Sequence, residues 1–206
     1  MVDKHKTVRD TESLILQAAE KEFLKKGFSG AKTTSIAEAA GVTHAMLHYY
    51  FRTKDKLFEK IISDKFNNIS EILLGAISNI ELPLKERIRQ GIESHFEFLA
   101  TNPDLPRFIV NELAEHPERI EPVIEGFTKN AKVLLANLQQ ELDKIPEINT
   151  DARMLLSDII SINIFPFIAA PMIKNFIGYY YGNYNEYLEL RKKENVKTIF
   201  QKLKIE

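Results

Sequence analysis

At 206 residues and a formal net charge of -1, the chain is long enough to bury a proper core in one or two small domains, and too balanced for whole-chain charge to name a partner. It has no cysteine, which excludes disulfides, thiolate zinc sites and thiol nucleophiles. The longest apolar run, Ile164–Ile173, holds ten residues and two prolines, too short for a bilayer.

The charge is unevenly spread. Residues 1–60 carry 11 Lys and Arg against 8 Asp and Glu, whereas residues 61–206 carry 17 against 21. A mildly basic head on a mildly acidic body suits a reader of DNA whose body stays off the duplex. The N-terminus MVDKHKTVRD is polar and lacks a secretory pattern. A soluble cytoplasmic protein is expected.

Residues 1–9 read as a loose basic arm with Lys4, Lys6 and Arg9. A first helix is predicted from about Thr11 to Lys26, with Ile15, Ala19 and Phe23 on one stripe and Gly27 as its stop. The stretch TTSIAEAAGVTHAMLHYYFRTKDKLF, Thr33 to Phe58, then fits two short helices around a tight turn at Gly41. Thr33 is the expected N-cap of the first, with Ser35 and Glu38 at capping-box spacing as an alternative start. Thr43 is the expected cap of the second, His44 to about Tyr50. Ile36, Ala37, Ala40, Val42, Leu47, Tyr50 and Phe51 form its small core. That leaves His44, Ala45, Met46, His48 and Tyr49 for a DNA major groove. Small Ala45 permits close approach, Met46 suits a thymine methyl, and His44, His48 and Tyr49 suit phosphates or base edges. The helix carries no Arg or Lys, so no bidentate guanine contact comes from it. His44 and His48 also have the spacing of a metal pair. No H-E-x-x-H motif or third ligand completes one, so no metal and no cofactor are expected.

Thr53 is predicted to cap a long helix, Lys54 to Ser78. Lys54 in its first turn opposes the helix dipole, a penalty that a phosphate would reverse. Helices follow from Pro83 to about Ala100, Pro103 to Glu115, and onward to about Asp143, with Phe108, Leu113, Ile124, Phe127, Val133, Leu134 and Leu138 expected inside. An eighth helix starts near Asp151, capped by Thr150, and is apolar nearly all round, with Pro166 and Pro171 as kinks. A tyrosine-rich turn spans 178–183, and a last helix runs from about Tyr184 to Lys204. No alternating pattern argues for a sheet.

The Thr33–Phe58 stretch resembles the DNA-binding segment of the tetracycline-repressor (TetR) family. Thr33, Ile36, Ala37, Ala40, Gly41, Val42, Thr43, Leu47, Phe51, Lys54 and Leu57 match its pattern in order. His48 stands where the family usually carries Tyr. The resemblance implies an all-α protein of about nine helices. Residues 1–53 would form a three-helix helix–turn–helix DNA-binding domain, and residues 54–206 a larger helical effector-binding and dimerisation domain. It also implies phosphate contacts by Thr33 and Lys54, with Thr34 as a further candidate DNA contact, and a homodimer through the last two helices.

The leading expectation is a ligand-relieved repressor, not an enzyme, that binds a palindromic operator in double-stranded DNA. The body's aromatic and polar residues are the candidate effector contacts for a small, mostly apolar molecule: Phe66, Phe98, Phe108, Phe127, Phe165 and Phe167, with His95, Glu112 and Asn163 as polar handles. Phe96 and Asn111 belong to the same set. Any one phenylalanine at helical spacing also serves as plain core. The competing classes are a hydrolase using a His95–Glu112 pair, and a helical adaptor that has lost DNA binding. No G-x-S-x-G motif, phosphate-cradling loop or metal set supports the enzyme.

Overall fold

The computed structural model describes residues 4–176 and 182–205; of residues 4–9, 129 and 130 only the backbone is described. The helices are α1 (Lys4–Gly30), α2 (Thr33–Ala39), α3 (His44–Phe51), α4 (Lys54–Ser78), α5 (Leu84–Thr101), α6 (Leu105–Glu115), α7 (Pro117–Leu142), α8 (Ala152–Ile168), α9 (Ala170–Phe176) and α10 (Tyr184–Leu203). There is no strand among the described residues. Two compact units result: Met1–Phe66 with Phe108–Ile124, and Asn67–Arg107 with Glu125–Glu206.

The first unit is organised around aromatic rings. Phe23, Phe28 and Phe58 pack pairwise at centroid distances of 5.9, 5.5 and 5.2 Å, and Phe108 of α6 joins Phe58 at 5.9 Å. Ile15 and Ala19 of α1, Ile36 of α2, Leu47 of α3 and Leu57 of α4 are buried, as their sequence pattern predicts. Gly27 interrupts α1 with φ 69° and ψ 171°. A side chain resists that backbone, and the break removes Phe28 N–H from the helical ladder. The predicted end of the first helix is therefore real as a break, although helical turns resume to Gly30. At the other end the expected loose arm is helical from Lys4 onward.

In the second unit α5, α8 and α10 pack on one another. Their apolar stripes meet in a core of Ile88, Ile92, Leu155, Ile159, Val196, Ile199, Phe200 and Leu203, extended by Leu138 and Leu142 of α7. Asp151, not Thr150, caps α8: its carboxylate accepts from Arg153 N–H at 2.7 Å. A carboxylate here also complements the helix dipole, which a hydroxyl one residue earlier does not. Pro166 lies inside α8 without ending it. The chain breaks at Ala169 and α9 departs at 68° to α8, with Pro171 in its first turn, where the missing N–H costs nothing. Asn183 caps α10 by accepting from Glu186 N–H. The tyrosine-rich turn falls largely at 177–181, outside the described residues.

Three expectations about the core fail. Leu113 and Val133 are exposed, and α8 is not buried on most sides: Met154 and Phe165 are 58% and 52% exposed. Met154, Ser157, Ser161 and Phe165 share one face at spacings of three and four residues, and all are exposed. No single helix among the described residues is long and apolar enough to cross a membrane.

Candidate nucleic-acid interface

The α2–turn–α3 element is built as its sequence dictates. Ile36 and Ala37 of α2 and Leu47 and Phe51 of α3 are buried, which fixes the rotation of α3 about its axis. Gly41 takes φ 68° in the turn. Thr43 caps α3, its hydroxyl accepting from Met46 N–H at 3.2 Å. Tyr50 is only half-buried.

The opposite face of α3 is the exposed one. His44, Ala45, Met46, His48 and Tyr49 are all solvent-facing, Tyr49 at 75% and Met46 at 42% exposure. Such large apolar surface left in water on a helix of eight residues is the kind of surface that a partner covers. The His44 and His48 rings meet edge to face at 5.0 Å. No group of three or more metal-ligating side chains occurs among the described residues.

The threonines divide in role. Thr34 is exposed at the start of α2. Thr33 is the first helical residue, not the cap: Lys32 occupies the cap position and makes no side-chain cap bond. The Thr33 hydroxyl instead pairs with His44 Nε2 at 3.0 Å, tying α2 to the exposed face of α3. Nor is a Ser35–Glu38 box formed.

Lys54 is placed differently from the other candidates. Its ammonium turns inward, donating to Phe28 O at 2.8 Å and Ala31 O at 3.1 Å, and it lies 4.3 Å from the centre of the Phe28 ring. The dipole penalty in the first turn of α4 is thus offset by two carbonyls and a ring face. Thr53 caps that turn as expected, accepting from Lys56 N–H at 3.1 Å.

Two basic residues border the face that sequence reasoning did not select: Lys32 before α2 and Arg52 after α3, both exposed. Arg52 has φ 60° and ψ -54°, and Thr53 N–H bonds back to Phe51 O at 2.5 Å. This is a tight three-residue turn that a non-glycine residue adopts only under strain. It fixes the angle at which α4 leaves α3.

The α6–α7 corner grips the same unit from behind. Glu112 is buried; one carboxylate oxygen accepts from Phe28 N–H at 3.2 Å, the other from Arg119 Nη1 at 3.0 Å. The Arg119 guanidinium stacks 4.1 Å from the Phe28 ring centre. Phe28 therefore carries one cation from Arg119 and one from Lys54, and its freed N–H finds its acceptor on Glu112.

The candidate effector residues are spread over both units. Phe66, Phe108 and Glu112 belong to the first unit, and His95, Phe98, Phe127, Asn163, Phe165 and Phe167 to the second. Phe108 is core, and Glu112 is committed as described. In the second unit Phe167 is buried against Phe96 with centroids 5.3 Å apart, Phe127 is half-buried, and Phe165 faces solvent. Asn163 is the hub of a buried polar chain. Its Nδ2 donates to Ile92 O at 2.9 Å and to His95 Nδ1 at 3.2 Å, while its Oδ1 accepts from Asn195 Nδ2 at 2.8 Å. Burial pushes His95 down to about 4, so it is a neutral acceptor. His95 and Glu112 each serve other partners than the paired acid and base that an enzyme would need. A groove of about 760 Å³ on the second unit, lined by Asn68, Ile72, Glu93, Phe98, Asn102 and Lys192 among others, includes Phe98 alone of the candidates.

Comparison with known proteins bears on the first unit above all. Residues 15–61 match the family model described as bacterial regulatory proteins, tetR family. The chain is 27% identical over 135 residues to the Probable HTH-type transcriptional regulator YttP of Bacillus subtilis, a match covering 65% of each chain. It is 30% identical over 129 residues to the HTH-type transcriptional repressor BepR of Brucella suis, covering 62% of each. The chain thus spans just under two thirds of these relatives. Among solved structures, SCO4942 from Streptomyces coelicolor has the same fold, with a TM-score of 0.68 at 20% identity over 93% of this chain and 97% of that one.

Proposed function

We propose that this chain, which belongs to the TetR family of bacterial transcriptional regulators, binds a palindromic DNA operator as a homodimer and represses transcription until a small molecule releases it. The observation that carries the reading is the recognition face. His44, Ala45, Met46, His48 and Tyr49 stand exposed on a helix whose other side is anchored by Leu47 and Phe51. A helix held in that way fits a major groove, and one copy reads only a few base pairs. In this reading Thr33 and Thr34 at the start of α2, with Lys32 and Arg52, hold phosphates on either side. Lys54 acts from within, as a strap on the Phe28–Ala31 turn.

A second copy supplies the other half-site. The exposed Met154–Phe165 face of α8 and exposed Leu190 of α10 offer apolar surface for it. We assign DNA reading to residues 1–53 and effector binding and dimerisation to residues 54–206, in a cytoplasmic protein. A mostly apolar effector that binds better to the DNA-incompetent state would shift the population away from DNA. Two routes connect such an effector to the reader: α4, which begins at Lys54 just beyond the Arg52–Thr53 turn, and the α6–α7 corner, which holds Phe28.

The test is selection of duplexes from a randomised pool by the full chain, followed by binding at several salt concentrations and sedimentation with and without DNA. A two-fold symmetric sequence, a steep salt dependence and two protomers per duplex are expected. Recovery of no duplex, or binding by a single protomer, would overturn the proposal.

A further inference from the structure

We propose that His44 and His48 are proton-dependent readers of the operator, donating as cations to acceptor atoms in the major groove and binding tightly only when protonated. The inference rests on the DNA-binding reading above. Three observations carry it. First, α3 holds no Arg or Lys, so the two histidines are its only means of presenting positive charge. Second, both rings are exposed and only 5.0 Å apart, so they enter the same few ångströms of groove together. Third, Thr33 fixes one end of His44 by its 3.0 Å contact with Nε2.

That tether decides what the free end can do. When His44 is neutral, one ring nitrogen carries the proton, and Thr33, which can donate or accept, is indifferent to which. Nδ1 is then a donor in one tautomer and an acceptor in the other, and it discriminates poorly between base edges. When His44 is protonated, Nε2–H donates to the Thr33 hydroxyl and Nδ1–H is a donor without alternative. A fixed, charged donor suits purine N7 or O6 and phosphate oxygens, and rejects the amino edges of adenine and cytosine. His48, on the next turn of the same face, adds a second charged donor when protonated.

The charged surroundings permit the switch. Packed against α3 is α2, which presents Thr33 to the ring and holds Glu38 as its ionisable side chain, more than a turn away along the helix. On α3 itself the ionisable neighbours are Tyr49 and Tyr50; Lys32 precedes α2 and Arg52 follows α3. No carboxylate is bonded to either imidazole among the described contacts. Two adjacent imidazolium charges are mutually unfavourable in free protein, and phosphates remove that repulsion. DNA binding and proton uptake are therefore linked: each proton taken up on binding raises affinity by up to about tenfold per pH unit of acidification.

The experiment uses full-length protein and a duplex selected from a randomised pool at about pH 6. Affinity is measured from about pH 5.5 to 8 for wild type, His44→Gln, His48→Gln and the double variant; both positions are exposed, and circular dichroism confirms folding. Wild type is expected to bind at least tenfold tighter at the acid end, each single variant to lose part of that gain, and the double variant to retain less than about threefold. Duplexes carrying 7-deazapurines separate base-edge acceptors from phosphates: loss of the acid gain assigns it to the purine edge, and its persistence with a steeper salt slope assigns it to phosphate. Identical pH profiles for wild type and the double variant would overturn the inference while leaving the regulator reading intact. Absence of binding by wild type at every pH would instead overturn that reading.

Discussion

Replacing Glu112 by Ala tests how the α6–α7 corner holds the DNA-reading unit. The buried Phe28 N–H has lost its helical partner at the Gly27 break and depends on the Glu112 carboxylate at 3.2 Å. Leaving that donor unsatisfied costs about 1–3 kcal/mol. Arg119 loses a charge-assisted bond of 3.0 Å, but its side chain is 19% exposed and partly rehydrates, so its share is smaller, about 1 kcal/mol. The expected loss is therefore roughly 2–4 kcal/mol for Glu112→Ala. Glu112→Gln keeps an acceptor for Phe28 and should cost only about 1 kcal/mol. Urea unfolding followed by circular dichroism measures both, and amide exchange at Phe28 locates the effect: it should accelerate at least tenfold in the Ala variant and far less in the Gln variant. Two variants within about 0.5 kcal/mol of wild type, with unchanged exchange at Phe28, would refute the argument.

Further outcomes follow from the same contacts. His95 has a folded-state value of about 4 against an ordinary 6.5, so the unfolded chain binds the extra proton between these values; stability contributed by the neutral imidazole is complete above about pH 6.5 and is lost as pH falls toward 4. About 3 kcal/mol is at stake, and His95→Gln should flatten the stability profile in that window relative to wild type. Asn163→Ala removes the hub that joins Ile92, His95 and Asn195 and should cost about 2–4 kcal/mol by thermal unfolding. Thr43→Ala deletes the α3 cap and should lower stability by about 1 kcal/mol while weakening binding to a selected duplex. Lys54→Ala should destabilise the head through loss of two carbonyl contacts, with little change in the salt slope of DNA binding.

The α2–turn–α3 geometry was legible because its determinants are local. Gly41, the Thr43 cap and the spacing of Leu47 and Phe51 act within one or two turns, and the structure places each as its chemistry demands. Lys54 and Glu112 were not legible in the same way. Their partners lie 26 and 84 residues away, and a charge at a helix start looks the same whether it faces a phosphate or a carbonyl. Thr33 misled for a related reason: a hydroxyl at a helix start usually caps it, yet here His44 across the turn competes successfully. The polar core of the second unit did leave a signal. His95 shares the stripe of Ile88, Ile92 and Phe96, and Asn195 adjoins Val196 and Ile199 on the buried side of α10. Polar residues on an apolar stripe mark a buried network as readily as a ligand handle, and only the partners distinguish the two. The α8 face that stays exposed was hidden by sheer hydrophobicity, since an apolar run does not say whether its partner belongs to the same chain.

The most direct test of the central claim is methylation interference at guanine N7 on a duplex selected by the full chain, read together with the binding of Tyr49→Ala. Two interference patches in successive major grooves on one side of the duplex, about 34–36 Å apart, and at least tenfold weaker binding by the variant are predicted. Interference confined to a single patch or absent from the major groove, with Tyr49→Ala binding as wild type does, would contradict the claim that α3 is the reading element.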